Sequence, residues 1–327
     1  MEFNIFKILS KDDKELIHSS FLKYLLDHWG SYFYQSLFNL DSINFETPKL
    51  ESGYRGKRID IEIRSKDDKE IILIENKFKS FPYEIQLLNY DAILEEKHKD
   101  KIHHKYLICF DTSTTSGINK KDWKIISYQE ILEQLKKFLS LKNEIPPEER
   151  TFIKHYVLFL EEYFETYYSK LLCLEDLIKN SSKKQNKFYV RLFNSKLRNI
   201  LERRFLDIGE EVKFLVNPGN TSTPLISIIP KIWTKNGIEK LIQFQGNEIK
   251  FYVHTADKDY IRELISLTKN NLDLSNGKLK RITKRKENSC YIYKETLTTN
   301  CSCKTIEDVA DYLMKFYERL DQILMRT

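Results

Sequence analysis

The sequence predicts an α/β (α+β) fold: a mixed β-sheet flanked by helices, followed by a second, smaller α+β domain. Three observations predict it. A helical pattern opens the chain. A strictly alternating run, Arg58 to Arg64, is followed after a polar turn by an apolar run, Ile71 to Lys77. Strand-like and helical stretches then alternate up to about residue 141, and the overall order is helix, strand, hairpin, helix, strand, strand, helix. At roughly 150 residues per domain, the 327-residue chain suggests about two domains. The predicted parts are residues 1–178 and residues 179–327, separated at the polar stretch Asn180 to Lys187.

The elements follow from local chemistry. Ser10 and Asp13 match a capping box, and Leu16, Ile17, Phe21, Leu25 and Leu26 give residues 10–28 a broad apolar stripe. In the hairpin over 57–77, Ile59, Ile61 and Ile63 share one face and Asp60 and Glu62 the other. Lys66 to Lys69 form its polar turn, and Ile71 to Lys77 read as a central strand ending in charge. Pro82 opens a helix to about His98. Lys105–Phe110 and Lys124–Ser127 are short strands, and a helix runs from about Tyr128 to Leu141. Pro146 and Pro147 interrupt, and helix returns over 148–178. The second part opens on a helix over 188–206, continues with several strands and a helix near 257–269, and closes on a helix from about Thr305 to Leu324.

Composition narrows the function classes. Nine Gly and seven Pro exclude collagen-like or low-complexity character. The longest apolar runs fall well short of the ~18 residues a membrane span needs. The first residues, Met1 to Lys7, lack the basic-then-apolar order of a signal peptide, so the expected setting is cytoplasmic, with no membrane partner. The net charge of +6 hides an asymmetry. Residues 1–180 hold 27 basic and 31 acidic side chains, a net of −4; residues 181–327 hold 27 and 17, a net of +10. A basic second half suits a module that grips a polyanion; a Lys-rich solvated surface is the alternative. Cys290, Cys301 and Cys303 cluster, but C-x-C plus one more Cys without a nearby His lacks the paired spacing of a structural zinc site. With Cys109 and Cys173 they are read as reduced thiols.

The sharpest feature is Asp60 together with Glu75-Asn76-Lys77. Glu75 and Lys77 lie two apart on a strand and so share a face, and the hairpin brings Asp60 beside them. Two carboxylates at one spot repel each other unless a cation sits between them. A hard divalent ion such as Mg²⁺ takes one or two carboxylates plus waters and phosphate. The neighbouring ammonium can orient water or stabilise charge on phosphorus. Glu62, on the face of Asp60, is either a further acid or an exposed strand residue.

This arrangement resembles the PD-(D/E)xK nuclease superfamily, with Asp60 as the first acid and Glu75-x-Lys77 as the second half of the motif. Ile59 stands where the superfamily usually has Pro. Gln86-Leu-Leu-Asn-Tyr90, on the helix after the strand, is similar to the Q-x-x-x-Y element of RecB-like members, and Gln86 and Tyr90 share a helix face. Glu15-x-x-His18-Ser19 looks like the N-terminal helix of a bacterial branch. The resemblance covers roughly residues 1–140 and implies a restriction-endonuclease-like core. It also implies Mg²⁺ or Mn²⁺ held by Asp60, Glu75 and the Asn76 carbonyl, with His18 as a further ligand and Glu15 as its helper. Lys77 would serve catalysis, and Gln86 and Tyr90 would orient the motif. The products would carry 5′-phosphate and 3′-hydroxyl ends. DNA is the implied substrate, in phage or plasmid defence or in DNA processing. For His18, a packed helix residue is the other reading.

Basic residues add a nucleic-acid expectation. Arg55, Arg58 and Lys79 flank the motif, where they either guide a phosphate backbone or are sheet-edge charges. Lys278, Lys280, Arg281, Lys284, Arg285 and Lys286 place six basic residues in nine positions, a contact strip for DNA or RNA or else a solvated hairpin edge. A catalytically silent nuclease-like scaffold that binds nucleic acid or a protein partner is the alternative function. A homo-oligomer or a regulatory partner acting through the basic second domain stays open.

Overall fold

The computed structural model describes residues 4–8, 15–41, 45–54, 56–115, 118–119, 122–141, 145–169, 173–181, 187–216, 224–272, 277–279, 290–297 and 305–325. The chain divides into two compact units, Met1–Glu165 and Thr166–Thr327.

The first unit is built on a five-stranded mixed sheet in the order β1-β2-β3-β4-β5. Its strands are β1 (Lys49–Tyr54), β2 (Lys57–Arg64), β3 (Glu70–Lys77), β4 (Ile102–Cys109) and β5 (Lys124–Ser127). The first three pair antiparallel, and β3, β4 and β5 pair parallel. Its helices are α1 (Ile5–Ile8), α2 (Glu15–His28), α3 (Gly30–Phe33), α4 (Glu84–Lys97), α5 (Tyr128–Ser140) and α6 (Pro147–Phe164). A π turn, Tyr34–Phe38, continues α3, and a second, Glu165–Ser169, begins where α6 ends. The continuous helix expected over 148–178 is therefore interrupted. Helix α5 starts on a full capping box between Ser127 and Glu130.

Strand β3 is the hub. Ile71 to Asn76 are all buried, because helices cover both faces of the sheet. On one face, Ile71, Leu73 and Leu107 pack with Leu87, Tyr90, Ile93 and Leu94 of α4 and with Trp123. On the other, Asn76 meets α2 and α5 through Ser19 and Tyr128. Glu62, one of whose readings was an exposed strand residue, is instead buried and paired with Arg64 at 2.8 Å. The parallel β3–β4 pair is joined by the crossover helix α4, which closes over that face.

The second unit holds a six-stranded antiparallel sheet in the order β10-β11-β9-β8-β7-β6. Its helices are α7 (Leu174–Ser181), α8 (Lys187–Asp207), α9 (Lys258–Asn271) and α10 (Ile306–Leu324). Its strands are β6 (Val212–Val216), β7 (Leu225–Pro230), β8 (Glu239–Gln245), β9 (Glu248–His254), β10 (Gly277–Leu279) and β11 (Cys290–Thr296). Phe205 of α8, Tyr317 of α10 and Trp233 form a ring cluster, and the Trp233 indole donates to Asp321 at 2.8 Å. No described helix is long and apolar enough to cross a membrane.

Candidate active site

The β2–β3 pairing sets the geometry. The antiparallel register runs from Arg64↔Ile71 to Ile61↔Ile74. Beyond that rung a side chain takes over: the Asn76 amide donates to Asp60 Oδ2 at 2.7 Å. The first acid is thus fixed to the backbone of the motif's second half. Glu75 and Lys77 then emerge on one face of β3, and Lys77 Nζ lies 2.5 Å from Glu75 Oε1. Gln86 Nε2 donates to the same Glu75 oxygen at 2.6 Å and to the Tyr90 hydroxyl at 3.0 Å. Tyr90 in turn donates to the Arg58 carbonyl at 2.5 Å, which ties α4 back to β2. Five of the expected residues, Asp60, Glu75, Lys77, Gln86 and Tyr90, therefore form one connected group.

The electrostatics are those of a crowded acid site. Burial pushes Asp60 up, against the pull of the Asn76 amide and Lys77. Glu75 is 1% exposed and is pushed up to about 7, by burial first and by the Asp60 charge second, with Lys77 opposing. For Lys77, burial pulls the ammonium down, but Glu75, Glu15 and Asp60 outweigh it and the net direction is up. Glu75 Oε2 is buried and, among the described residues, has no hydrogen-bond partner. A desolvated carboxylate oxygen left unpaired is costly, and its place beside a second carboxylate suits a hard cation completed by water and phosphate. The residues present fit Mg²⁺ or Mn²⁺ on that donor chemistry. Among the described residues, no three His, Cys, Asp or Glu side chains converge as a ready-made metal cluster.

His18 and Glu15 both lie on α2. His18 is fully buried, stacks on Phe78 at 3.8 Å, and shares a 2.7 Å hydrogen bond with the Tyr156 hydroxyl through Nδ1. Tyr128 and Phe159 complete its aromatic surroundings. The ring sits in the packing between α2 and α6. Glu15 accepts from the Ser80 amide at 3.1 Å and from the Ser80 hydroxyl, and its other oxygen faces Lys77 at 4.0 Å. Glu15 is thus a second counter-charge for Lys77.

Of the expected basic residues, Arg58, Lys79 and Lys278 are among the described residues. Arg58 is 70% exposed and lies 3.5 Å from Glu51. The Lys79 ammonium sits over the Tyr163 ring at 4.9 Å. Lys278 is exposed on β10. Arg55, Lys280, Arg281, Lys284, Arg285 and Lys286 lie outside the described residues, as do Cys301, Cys303 and the Ser10–Asp13 cap.

Sequence reasoning missed the far face of β3. It assigned Asn76 only through its carbonyl. The Asn76 side chain, fully buried, donates to Ser19 Oγ at 3.0 Å and accepts from the Tyr128 hydroxyl at 2.8 Å. Ser19 also donates to the Glu15 carbonyl at 3.1 Å. The available signal was an amide in an otherwise apolar central strand, which must find partners. Asn76→Leu removes both hydrogen bonds and takes from the buried Tyr128 hydroxyl the amide oxygen it donates to. The expected destabilisation is about 1–3 kcal/mol, read as a lower urea midpoint. A shift below about 0.5 kcal/mol would show that this network does not hold the strand.

Residues 32–158 match the family model described as the PD-(D/E)XK nuclease superfamily. This segment has the PD-(D/E)xK nuclease superfamily fold. The nuclease-fold segment includes Asp60, Glu75, Lys77, Gln86 and Tyr90, and it begins after Glu15, His18 and Ser19. Comparison with curated proteins and with solved structures gave no match.

Proposed function

We propose that the first unit is a metal-dependent nuclease that hydrolyses phosphodiester bonds in DNA. The observation that carries this reading is the buried, unpartnered Glu75 Oε2 next to Asp60, with the Lys77 ammonium alongside. Asp60 and Glu75 would hold Mg²⁺ or Mn²⁺, with the Asn76 carbonyl as a further oxygen. When bound, the ion supplies positive charge to the scissile phosphate and lowers the pKa of a coordinated water. The chain's own groups do the rest. Gln86 fixes the Glu75 rotamer, and the Asn76 amide fixes Asp60. Lys77 orients the attacking water and faces the charge that develops on phosphorus. Water adds to phosphorus in line, the bond to the 3′ oxygen breaks, and a 5′-phosphate and a 3′-hydroxyl result. Arg55, Arg58 and Lys79 would guide the phosphate backbone at the motif, and the basic strip Lys278, Lys280, Arg281, Lys284, Arg285 and Lys286 would be a separate nucleic-acid contact of the second unit.

One observation favours a second reading. Glu75 Oε1 is closed off by both Lys77 and Gln86, as in a scaffold that binds nucleic acid or a partner without cutting. Supercoiled plasmid incubated with Mg²⁺ or Mn²⁺ decides between them. Nicked and linear forms are expected with metal and none with EDTA. Plasmid or RNA bound equally with and without metal, and never cut, would establish the silent scaffold.

A further inference from the structure

A second site lies in the other unit, and it does not depend on the nuclease reading. Lys240 occupies a position on β8 where the pattern calls for an apolar residue; Ile242 and Phe244, on the same face, are buried. Lys240 is itself only 4% exposed. Its ammonium donates to the Trp233 carbonyl at 2.9 Å and lies 5.7 Å from the centre of the Tyr260 ring. No carboxylate compensates it among the described residues, and burial pulls its pKa down with no opposing charge. An ammonium has three donors, and one is engaged. Desolvated charges are normally paired.

Lys240 also lines a cavity of about 290 Å³, the size of a small-ligand pocket. Trp233, Ile238, Tyr260 and Leu324 give it apolar walls. Its remaining charged lining is Lys235, Asp257 and Glu263, all exposed. Asp257 Oδ1 is engaged at the start of α9, accepting from the Asp259 and Tyr260 amides. Glu263 is therefore the acid best placed to take an outside cation. Two lysines face two acids, so the lining is neutral, with a buried positive group inside and carboxylates at the rim. A neutral lining offers no excess of positive charge to a nucleic-acid strand or a phosphate dianion.

We propose that this cavity binds a small zwitterion of the α-amino-acid class, with its carboxylate on Lys240, its ammonium toward Glu263 and its side chain against Trp233 and Tyr260. The carboxylate would supply the counter-charge that the fold withholds from Lys240, and the pocket would report a metabolite to the unit that holds it.

Calorimetric titration of the full-length protein tests this, with L-leucine and L-phenylalanine as probes and acetate, L-phenylalanine methyl ester and AMP as comparisons. Saturable binding of the amino acids is expected, with the methyl ester and AMP at least about tenfold weaker. Lys240→Met removes the charge at similar volume and should keep the fold while weakening amino-acid binding by about tenfold or more. Glu263→Gln, at an exposed position, should weaken it several-fold. The methyl-ester comparison and Glu263→Gln keep the test decisive if Lys240→Met does not fold. No amino-acid binding by the wild type, equal binding of the methyl ester, unchanged binding in either variant, or tighter binding of AMP would overturn the proposal.

Discussion

Lys77→Met is expected to abolish plasmid cleavage while leaving the protein folded. In the wild type this ammonium stands 2.5 Å from Glu75 and 4.0 Å from Glu15, and its charge also opposes the rise of Asp60. Methionine fills similar space without charge. Two losses then coincide. The group that orients water and faces the developing charge is gone, an effect typically worth roughly 10²–10³ in rate. In addition, Glu75, already pushed up to about 7, loses its main opposing charge and rises further. At neutral pH more of it is protonated and cannot bind metal. Together the expected fall is at least about 10³-fold, or about 4 kcal/mol of transition-state stabilisation. Raising the pH should recover part of the metal affinity and little of the rate. A Lys77→Met protein that kept more than about a tenth of the wild-type rate would remove Lys77 from the chemistry.

Glu75→Gln is expected to change how stability depends on pH, and to do so in opposite ways with and without metal. The folded carboxyl titrates at about 7 against an ordinary 4.5. A carboxyl raised on folding contributes stability that is fully present below the ordinary value and is lost as pH rises through the folded one. Without metal, the wild type should therefore lose stability between about pH 4.5 and 7 relative to the Gln variant. The full span corresponds to about 3 kcal/mol. Asp60, also raised, adds in the same direction and remains in the variant. Metal reverses the sign for the wild type, because it binds the carboxylate and displaces the proton. Thermal midpoints across that range, in EDTA and in Mg²⁺, check both halves. If the difference between wild type and variant is flat with pH in EDTA, Glu75 is not held in a raised state. If Mg²⁺ stabilises both proteins equally, Glu75 is not a ligand.

The hairpin and its charged end were legible because strand periodicity is short. Ile59, Ile61 and Ile63 announce one face, and Ile71 to Ile74 a strand buried on both. From that alone Asp60, Glu75 and Lys77 could be placed together, and the four-residue spacing of Gln86 and Tyr90 put both on one side of α4. The fold class followed from the same alternation of elements. What stayed hidden depends on contacts far apart in sequence. Glu62 reads as an outward strand residue until the face it shares with Leu73 is known to be covered by α4. The contacts of His18 with Phe78 and Tyr156 could not be read from its own helix. Glu15 looks like a partner one helical turn from His18, yet it reaches Ser80, 65 positions away. The break after α6 escaped as well, since Tyr- and Phe-rich sequence continues a helical pattern through the π turn.

The seat of His18 has a consequence for the timing of synthesis. Its ring is clasped by Phe78 and by Tyr156, which follows it by 138 positions. The β2–β3 hairpin can pair as soon as it leaves the ribosome, because its contacts are local. Helix α2, which brings Glu15 to Lys77 and Ser19 to Asn76, gains its contact with Tyr156 only after α6 has also emerged. The acid pair and its lysine are thus translated early but braced late. A chain ending before α6 carries the motif but lacks the Tyr156 and Phe159 side of the His18 packing.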